Sequence, residues 1–245
     1  MVGSFAMTRF FIYNNSMRNK QKLAVFDIDG TIFRSSLLIE LVERMVEEGL
    51  LSERVRSVYS EEYQKWLERR GSYDDYIGKV VLAYVKNIKG VRLCDAMKIA
   101  ERMMLFHKNR VYTYTRDLVM KLKKTHYLLA ISHSPYHIVE PFCREWGFQK
   151  VYAMMYEIDD NEVFTGVVEH EDFMKRKDKV LARAVAKENL TLKGSYGIGD
   201  SESDIPMLKM VSRPIAFNPN RKLYETAKRN RWEVVVERKD MIYKL

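Results

Sequence analysis

The chain has 245 residues, 47% of them hydrophobic, enough to bury a core as one large domain or as a core with a smaller module. Its two cysteines, Cys94 and Cys143, fall in no CxxC or other metal-ligand spacing, which argues against a disulfide framework or a zinc site and suits a reducing, cytoplasmic setting. A formal net charge of +9 favours anionic partners, but the basic residues are spread through helical stretches such as 221–231, with no aromatic-interleaved RNA motif or zinc-finger spacing.

The N-terminal FFIY is too short for the apolar region of a signal peptide, and no later apolar run approaches the roughly 20 residues that span a bilayer. Met17 is a candidate alternative start, which would leave 1–16 as an N-terminal extension. The first clear element is a buried strand over 23–26, which ends in Asp27 and Asp29 and then Gly30 and Thr31. From 35 to about 110 the pattern is helical only. Leu37, Leu38, Leu41, Val42 and Met45 recur at one-turn spacing behind the capping candidates Ser35 and Ser36, with Gly49 closing the segment. Further helices are expected at about 52–70, 73–88 and 91–109, together a bundle.

From about 113 the texture changes. A helix at 115–124 leads to the strand YLLAIS (127–132). A helix from Tyr136, a strand at 150–157 and a local hairpin partner at 161–168 follow. Next come a helix at 177–189, strands at 195–199 and 214–218, a helix, and a last strand at 233–237. Strands alternating with helices imply a doubly wound, Rossmann-like parallel α/β sheet, with function at the carboxyl ends of the strands. The strand at 23–26 belongs to this sheet. The expected organisation is therefore a core over 17–33 and 111–245, with a helical cap over 34–110 inserted between its first two strands.

In this arrangement Asp27 and Asp29, Ser132, and Asp200 with Asp204 all reach one edge of the sheet. Any one of them is explained by an ordinary cap or turn. Together they gather acids at mutual repulsive cost, which calls for a cation; with oxygen ligands only, Mg²⁺ is the physical choice. His133, beside Ser132, is a candidate ligand contact. His137 and His170 read as structural histidines, and Glu169, Glu171 and Asp172 as a loop charge cluster. Trp66, Met103, Met104 and Phe106, at helix spacing, read as core.

DIDGT at 27–31, ISHSP at 131–135, a lysine about twenty residues ahead of the last acids, and GDSESD at 199–204 resemble, in order, the four motifs of the haloacid dehalogenase superfamily. The phosphoserine-phosphatase-like branch with a helical cap is the most similar. The resemblance implies that Asp27 is the nucleophile, forming an aspartyl-phosphate, and that Asp29 is the acid and base for leaving group and water. It implies that Gly30, Thr31, Ser132 and His133 surround the phosphate. Mg²⁺ would be held by Asp27, Asp29 through its carbonyl, Asp200 and Asp204. For the lysine, Lys179 is favoured by its position before an apolar helix and its separation from Asp200, with Lys177 in reserve.

Asp29 also separates the chain from the superfamily's dehalogenases, which lack that second acid. The implied activity is phosphatase action on a small phosphorylated metabolite, since a lid closing over the strand ends excludes bulky substrates and argues against nucleic acid. Phosphoserine phosphatases carry a lid glutamate where this chain has Ser36, which points to another organic monophosphate. The alternatives are a phosphotransferase using the same nucleophile and a non-catalytic nucleic-acid- or protein-binding module.

Overall fold

The computed structural model describes residues 20–245. The extension over 1–16 and the start at Met17 lie outside the described residues. Among those described, β1 (Gln21–Phe26) is followed by α1 (Leu37–Glu47), a 3₁₀ turn at Glu53–Val58, α2 (Ser60–Leu67), α3 (Tyr73–Asn87) and α4 (Leu93–His107). Then come α5 (Thr113–Leu122), β2 (Tyr127–Pro135), α6 (Tyr136–Trp146), β3 (Lys150–Ile158), β4 (Phe164–Glu169), α7 (Glu171–Met174), α8 (Lys177–Lys187) and β5 (Leu190–Gly199). A 3₁₀ turn at Glu202–Asp204 leads into α9 (Ile205–Leu208), and β6 (Arg213–Phe217), α10 (Arg221–Asn230), β7 (Glu233–Arg238) and β8 (Met241–Lys244) complete the chain.

The strands form one sheet in the order β4-β3-β2-β1-β5-β6-β7-β8. The pairs from β3 to β7 are parallel, and β4 and β8 run antiparallel at the two edges. Leu23, Ala24, Val25 and Phe26 of β1 are fully buried, as a central strand covered on both faces requires. From β1 the chain proceeds outward through β2 and β3, then returns past β1 and proceeds the other way through β5, β6 and β7. Helix α5 packs on β2, α6 on β2 and β3, α8 on β2 and β5, α9 on β5, and α10 on β6 and β7, as crossovers between parallel strands require. The direction reverses at β1, so a crevice opens beyond the carboxyl ends of β1, β2 and β5.

The stretch between β1 and α5 is helical. On α1 the buried residues are Leu37, Leu38, Leu41, Val42, Met45 and Val46, a stripe of one-turn spacing that packs against α3, α4 and α6. Each such side chain contributes roughly 1.5–3 kcal/mol when fully buried. This helical layer is stitched to the β3–β4 hairpin by main-chain hydrogen bonds from Gly90 N to Phe164 O (2.9 Å), Phe164 N to Val91 O (2.9 Å) and Leu93 N to Glu162 O (2.9 Å).

Two expectations change. The helix at 52–70 is instead a 3₁₀ turn and the short helix α2; Ser57 Oγ donates to Arg54 O at 2.7 Å, a local bond that competes with a continuous helix. The strand β8 has no counterpart in the sequence reading, because every residue in it is exposed and no alternation marks it. No helix among the described residues is long and apolar enough to cross a membrane.

Candidate active site

The acids converge where the topology places them. Asp27 follows β1 directly, Asp200 follows β5, and one carboxylate oxygen from each of Asp27, Asp200 and Asp204 lies within 4.8 Å of the others. Two close approaches depend on glycine. A Cβ on Gly30, whose φ is +74°, would stand 2.2 Å from Asp200 Oδ2, and one on Gly199 would stand 2.4 Å from Asp204 Cγ. The residues flanking the acids in DIDGT and GIGD are therefore set by the room the carboxylates need.

The acids differ in their support. Asp204 is fully buried; its Oδ2 accepts from the backbone N–H groups of Asp200 and Ser201, each at 3.1 Å, and its Oδ1 accepts from Lys177 Nζ at 2.6 Å. Asp27 Oδ1 accepts from the same Nζ at 2.6 Å. Asp29 Oδ1 accepts from the backbone N–H of Leu37 at 2.6 Å, and its Oδ2 accepts from Ser132 Oγ at 2.9 Å. The second carboxyl is thus locked by the first residue of α1 on one side and by β2 on the other. Ser36 is the N-cap of α1 but makes no side-chain capping bond, and the carboxylate at this helix start is Asp29, on the Leu37 N–H.

Burial dominates the protonation behaviour. It pushes Asp27 up to about 7, against the pull of Lys177 and with repulsion from Asp204 and Asp29 adding to it. Asp200 is driven well above the ordinary carboxylate range by burial and then by Asp27 and Asp204. Asp29 is also raised by burial, in spite of its hydrogen bonds to Leu37, Ser134 and Ser132. Two buried acids, Asp27 and Asp204, and two half-buried ones, Asp29 and Asp200, share one buried ammonium, so the cluster is short of positive charge. An all-oxygen donor set with that deficit fits a hard divalent cation such as Mg²⁺. Asp27 and Asp200 are the carboxylates positioned to hold it. Asp204, with both oxygens already engaged, braces the site from behind.

The lysine that meets the acids is Lys177 rather than Lys179. Lys177 opens α8 and is 1% exposed, whereas Lys179 is exposed. Two helix positions turn the side chain by about 200°, so the two lysines leave opposite faces. Thr31 and Ser132 are fully buried and face the acids: Thr31 Oγ1 donates to Asp200 Oδ1 at 3.4 Å, and Ser132 Oγ donates to Asp29. They therefore position carboxylates in this structure. His133 lies 3.2 Å through Nε2 from Met174 O, which puts the proton on Nε2, and burial lowers its pKa to about 4, keeping it neutral. Of the other histidines, His137 is half-buried against Tyr84 and Phe164, and His170 sits in a left-handed cap ahead of α7. Among the residues read as core, Met103 is buried, but Trp66 is 37% and Phe106 76% exposed.

A cavity of about 320 Å³ opens over Asp27, Asp29, Lys177 and Asp200. Its far wall includes Ser36, Tyr73, Asp74, Ile77 and Val81 from the helical layer, with His133 and Ser134 from β2. Burial, followed by the Asp29 and Asp200 carboxylates, pushes the Tyr73 phenol well above its ordinary range. The sequence reading did not single out Tyr73, Asp74 or Ser134; Ser134, two residues beyond Ser132 on one strand, was the one within reach of a period-2 argument.

Residues 24–209 match the family model for haloacid dehalogenase-like hydrolase. The chain is 26% identical over 86% of its length, and 77% of the relative's, to an inhibition of morphological differentiation protein of Streptomyces azureus. It is 22% identical, over 88% of its own length and 98% of the relative's, to a histidinol-phosphatase of Neisseria meningitidis serogroup C. Its fold is similar to that of a phosphoserine phosphatase solved as a phospho-aspartyl intermediate analogue, with a TM-score of 0.60 and 20% identity over 90% of this chain and 95% of that one. With the model spanning the core from β1 to beyond β5, the chain is an enzyme of the haloacid dehalogenase-like hydrolase family.

Proposed function

We propose that the protein is a Mg²⁺-dependent phosphatase that hydrolyses a small organic phosphate monoester through an aspartyl-phosphate on Asp27. The observation that carries this reading is the division of labour between the two acids of DIDGT. Asp27 has one oxygen held by Lys177 at 2.6 Å and faces the cavity, as a nucleophile must. Asp29 is raised by burial and fixed by two hydrogen bonds, as suits a group that gives a proton to the leaving oxygen and later takes one from water.

In this reading an oxygen of the Asp27 carboxylate attacks phosphorus. The ester oxygen departs with the proton from Asp29, and Asp29, now ionised, draws the proton from the water that cleaves the acyl phosphate. Lys177 neutralises charge between nucleophile and phosphoryl group. When bound, Mg²⁺ supplies positive charge that allows an anionic nucleophile to approach an anionic ester. The Ser132 hydroxyl keeps Asp29 aimed, while Ser134, at the cavity wall, would meet a phosphoryl oxygen. The helical layer closing over the strand ends supports a small substrate, as do the histidinol- and phosphoserine-phosphatase names of the relatives. The unpaired thiols Cys94 and Cys143 suit a reducing cytoplasmic setting. Buried Ser36, in place of a lid carboxylate, favours an ester other than phosphoserine.

A panel of phosphorylated metabolites, assayed for phosphate release with and without Mg²⁺ beside the Asp27→Asn protein, tests the reading. Expected is Mg²⁺-dependent release that the variant lacks. Release that survives Asp27→Asn, or phosphoserine as the best substrate by a wide margin, overturns the corresponding part.

A further inference from the structure

The helix α2 is unusual in having no buried residue, although its sequence carries Tyr63, Trp66 and Leu67, which are 40%, 37% and 50% exposed. A helix with this much apolar surface ordinarily covers core; this one roofs a second cavity, of about 520 Å³, walled by the rings of Tyr59, Tyr63, Trp66, Tyr73 and Tyr76. Trp66 stacks on Tyr76 with centroids 5.7 Å apart and planes at 16°. Tyr63 and Tyr73 flank it at 6.1 Å and 5.6 Å, their planes inclined to it by 36° and 62°.

The second cavity adjoins the catalytic one across Tyr73. Tyr73 lines both, and so does one face of α1 and its cap: Ser36 borders the catalytic cavity, while Glu40 and Glu43, four and seven positions on, border the other. A group attached to a phosphoryl on Asp27 and long enough to extend past Tyr73 would reach the aromatic chamber.

The carboxylates and guanidinium groups there are already matched. Glu43 accepts from Arg56 Nε at 2.9 Å and from the Tyr59 hydroxyl. Glu40 accepts from Arg110 Nη1 at 2.7 Å and lies 3.5 Å from His107 Nε2. A cationic ligand would have to displace an arginine to reach either carboxylate, and an anionic one would meet those same carboxylates. What the chamber offers without such exchange is flat aromatic surface, which suits a planar uncharged ring.

We propose that this chamber is a leaving-group subsite, and that the enzyme acts on phosphate monoesters whose alcohol carries an aromatic or heteroaromatic ring. The assignment rests on the phosphatase reading of the neighbouring cavity. The tests are phenylalkyl phosphates with one to three methylenes, each compared with the alkyl phosphate of equal chain length. Expected is a kcat/KM at least about 10-fold higher for the best phenylalkyl member, as one stacked ring provides. In Trp66→Ala and Tyr63→Leu that ratio falls towards one, because the ring preference is lost. No ring preference in the wild type, an equal loss on both substrate series in the variants, or a stronger preference for a trimethylammonium-bearing phosphate overturns the assignment.

If no phosphate ester is turned over, the phosphatase reading fails while the subsite remains testable. Phenylalkyl phosphonates binding to the Mg²⁺-loaded protein about 10-fold tighter than alkyl phosphonates, with the difference lost in Trp66→Ala, sustain it; equal binding of the two series refutes it. Circular dichroism separates loss of the ratio from loss of the fold, and Tyr63→Leu keeps the test open should Trp66→Ala not fold.

Discussion

Lys177 Nζ stands 2.6 Å from Asp27 Oδ1 and 2.6 Å from Asp204 Oδ1, so one buried ammonium joins the carboxylate that ends β1 to the one that follows β5. Removing it leaves two buried acids with no neutralising charge, Asp204 keeping its backbone donors. Lys177→Ala is expected to lower turnover by at least about 1,000-fold and to cost roughly 3–5 kcal/mol of stability. Lys179→Ala, on the opposite and exposed face of α8, stays within about twofold of wild type. Steady-state kinetics and urea unfolding of the two variants check both; a rate loss in Lys179→Ala with none in Lys177→Ala contradicts the geometry.

The turn at Gly30 is tested by a single methyl group. Gly30→Ala places a Cβ 2.2 Å from Asp200 Oδ2 at a φ of +74°, which costs roughly 1–3 kcal/mol of backbone strain and forces Asp200 to shift. Expected are a weaker apparent Mg²⁺ affinity and a loss of turnover well beyond the stability effect. An Mg²⁺ titration of activity equal to that of wild type shows that Asp200 is not a ligand.

Asp29→Asn distinguishes the two halves of the reaction. Para-nitrophenolate departs without a proton, so the variant should release about one equivalent rapidly from para-nitrophenyl phosphate and then stall, because water is no longer activated. With an alkyl phosphate even the first turnover slows by roughly 100- to 10,000-fold. Linear release of para-nitrophenolate at the wild-type rate removes Asp29 from the mechanism.

The junction between helical layer and core carries a titration of its own. His137 on α6 lies 3.2 Å through Nε2 from the Tyr84 hydroxyl on α3 and packs on Phe164 of β4, and burial lowers its pKa from 6.5 to about 4. A lowered folded-state value means that the unfolded chain takes up the proton first. The stabilising contribution is therefore complete above pH ~6.5 and is lost as pH falls to about 4, amounting to at most about 3 kcal/mol. Relative to His137→Gln, the wild type should lose stability progressively across that window in urea titrations. A pH-independent difference between the two proteins shows that His137 is not held neutral.

What the sequence made legible was whatever a strand end or a helix period encodes locally. Asp27, Asp29 and Asp200 were placed by counting strands, and the helical stretch by the spacing of Leu37, Leu41 and Met45. Lys179 was preferred over Lys177 on its separation from Asp200, whereas the apolar stripe of α8, Val180, Leu181 and Ala184, lies three, four and seven positions after Lys177 and marks that residue as the inward-facing one. Thr31 and Ser132 read as phosphate ligands because their hydroxyls sit at strand ends; which neighbour each hydroxyl faces is decided by tertiary packing. Trp66 read as core for a similar reason: helical periodicity marks an apolar face but not whether that face meets side chains or a cavity.

The most direct measurement of the central claim is to quench the enzyme in acid during turnover with Mg²⁺ and to map the phosphoryl group by peptide mass spectrometry. The account predicts one phosphoryl group on Asp27, present only with Mg²⁺ and absent from Asp27→Asn. Full turnover with Asp27 unmodified under every quench time, or a phosphoryl group on another residue, would contradict it.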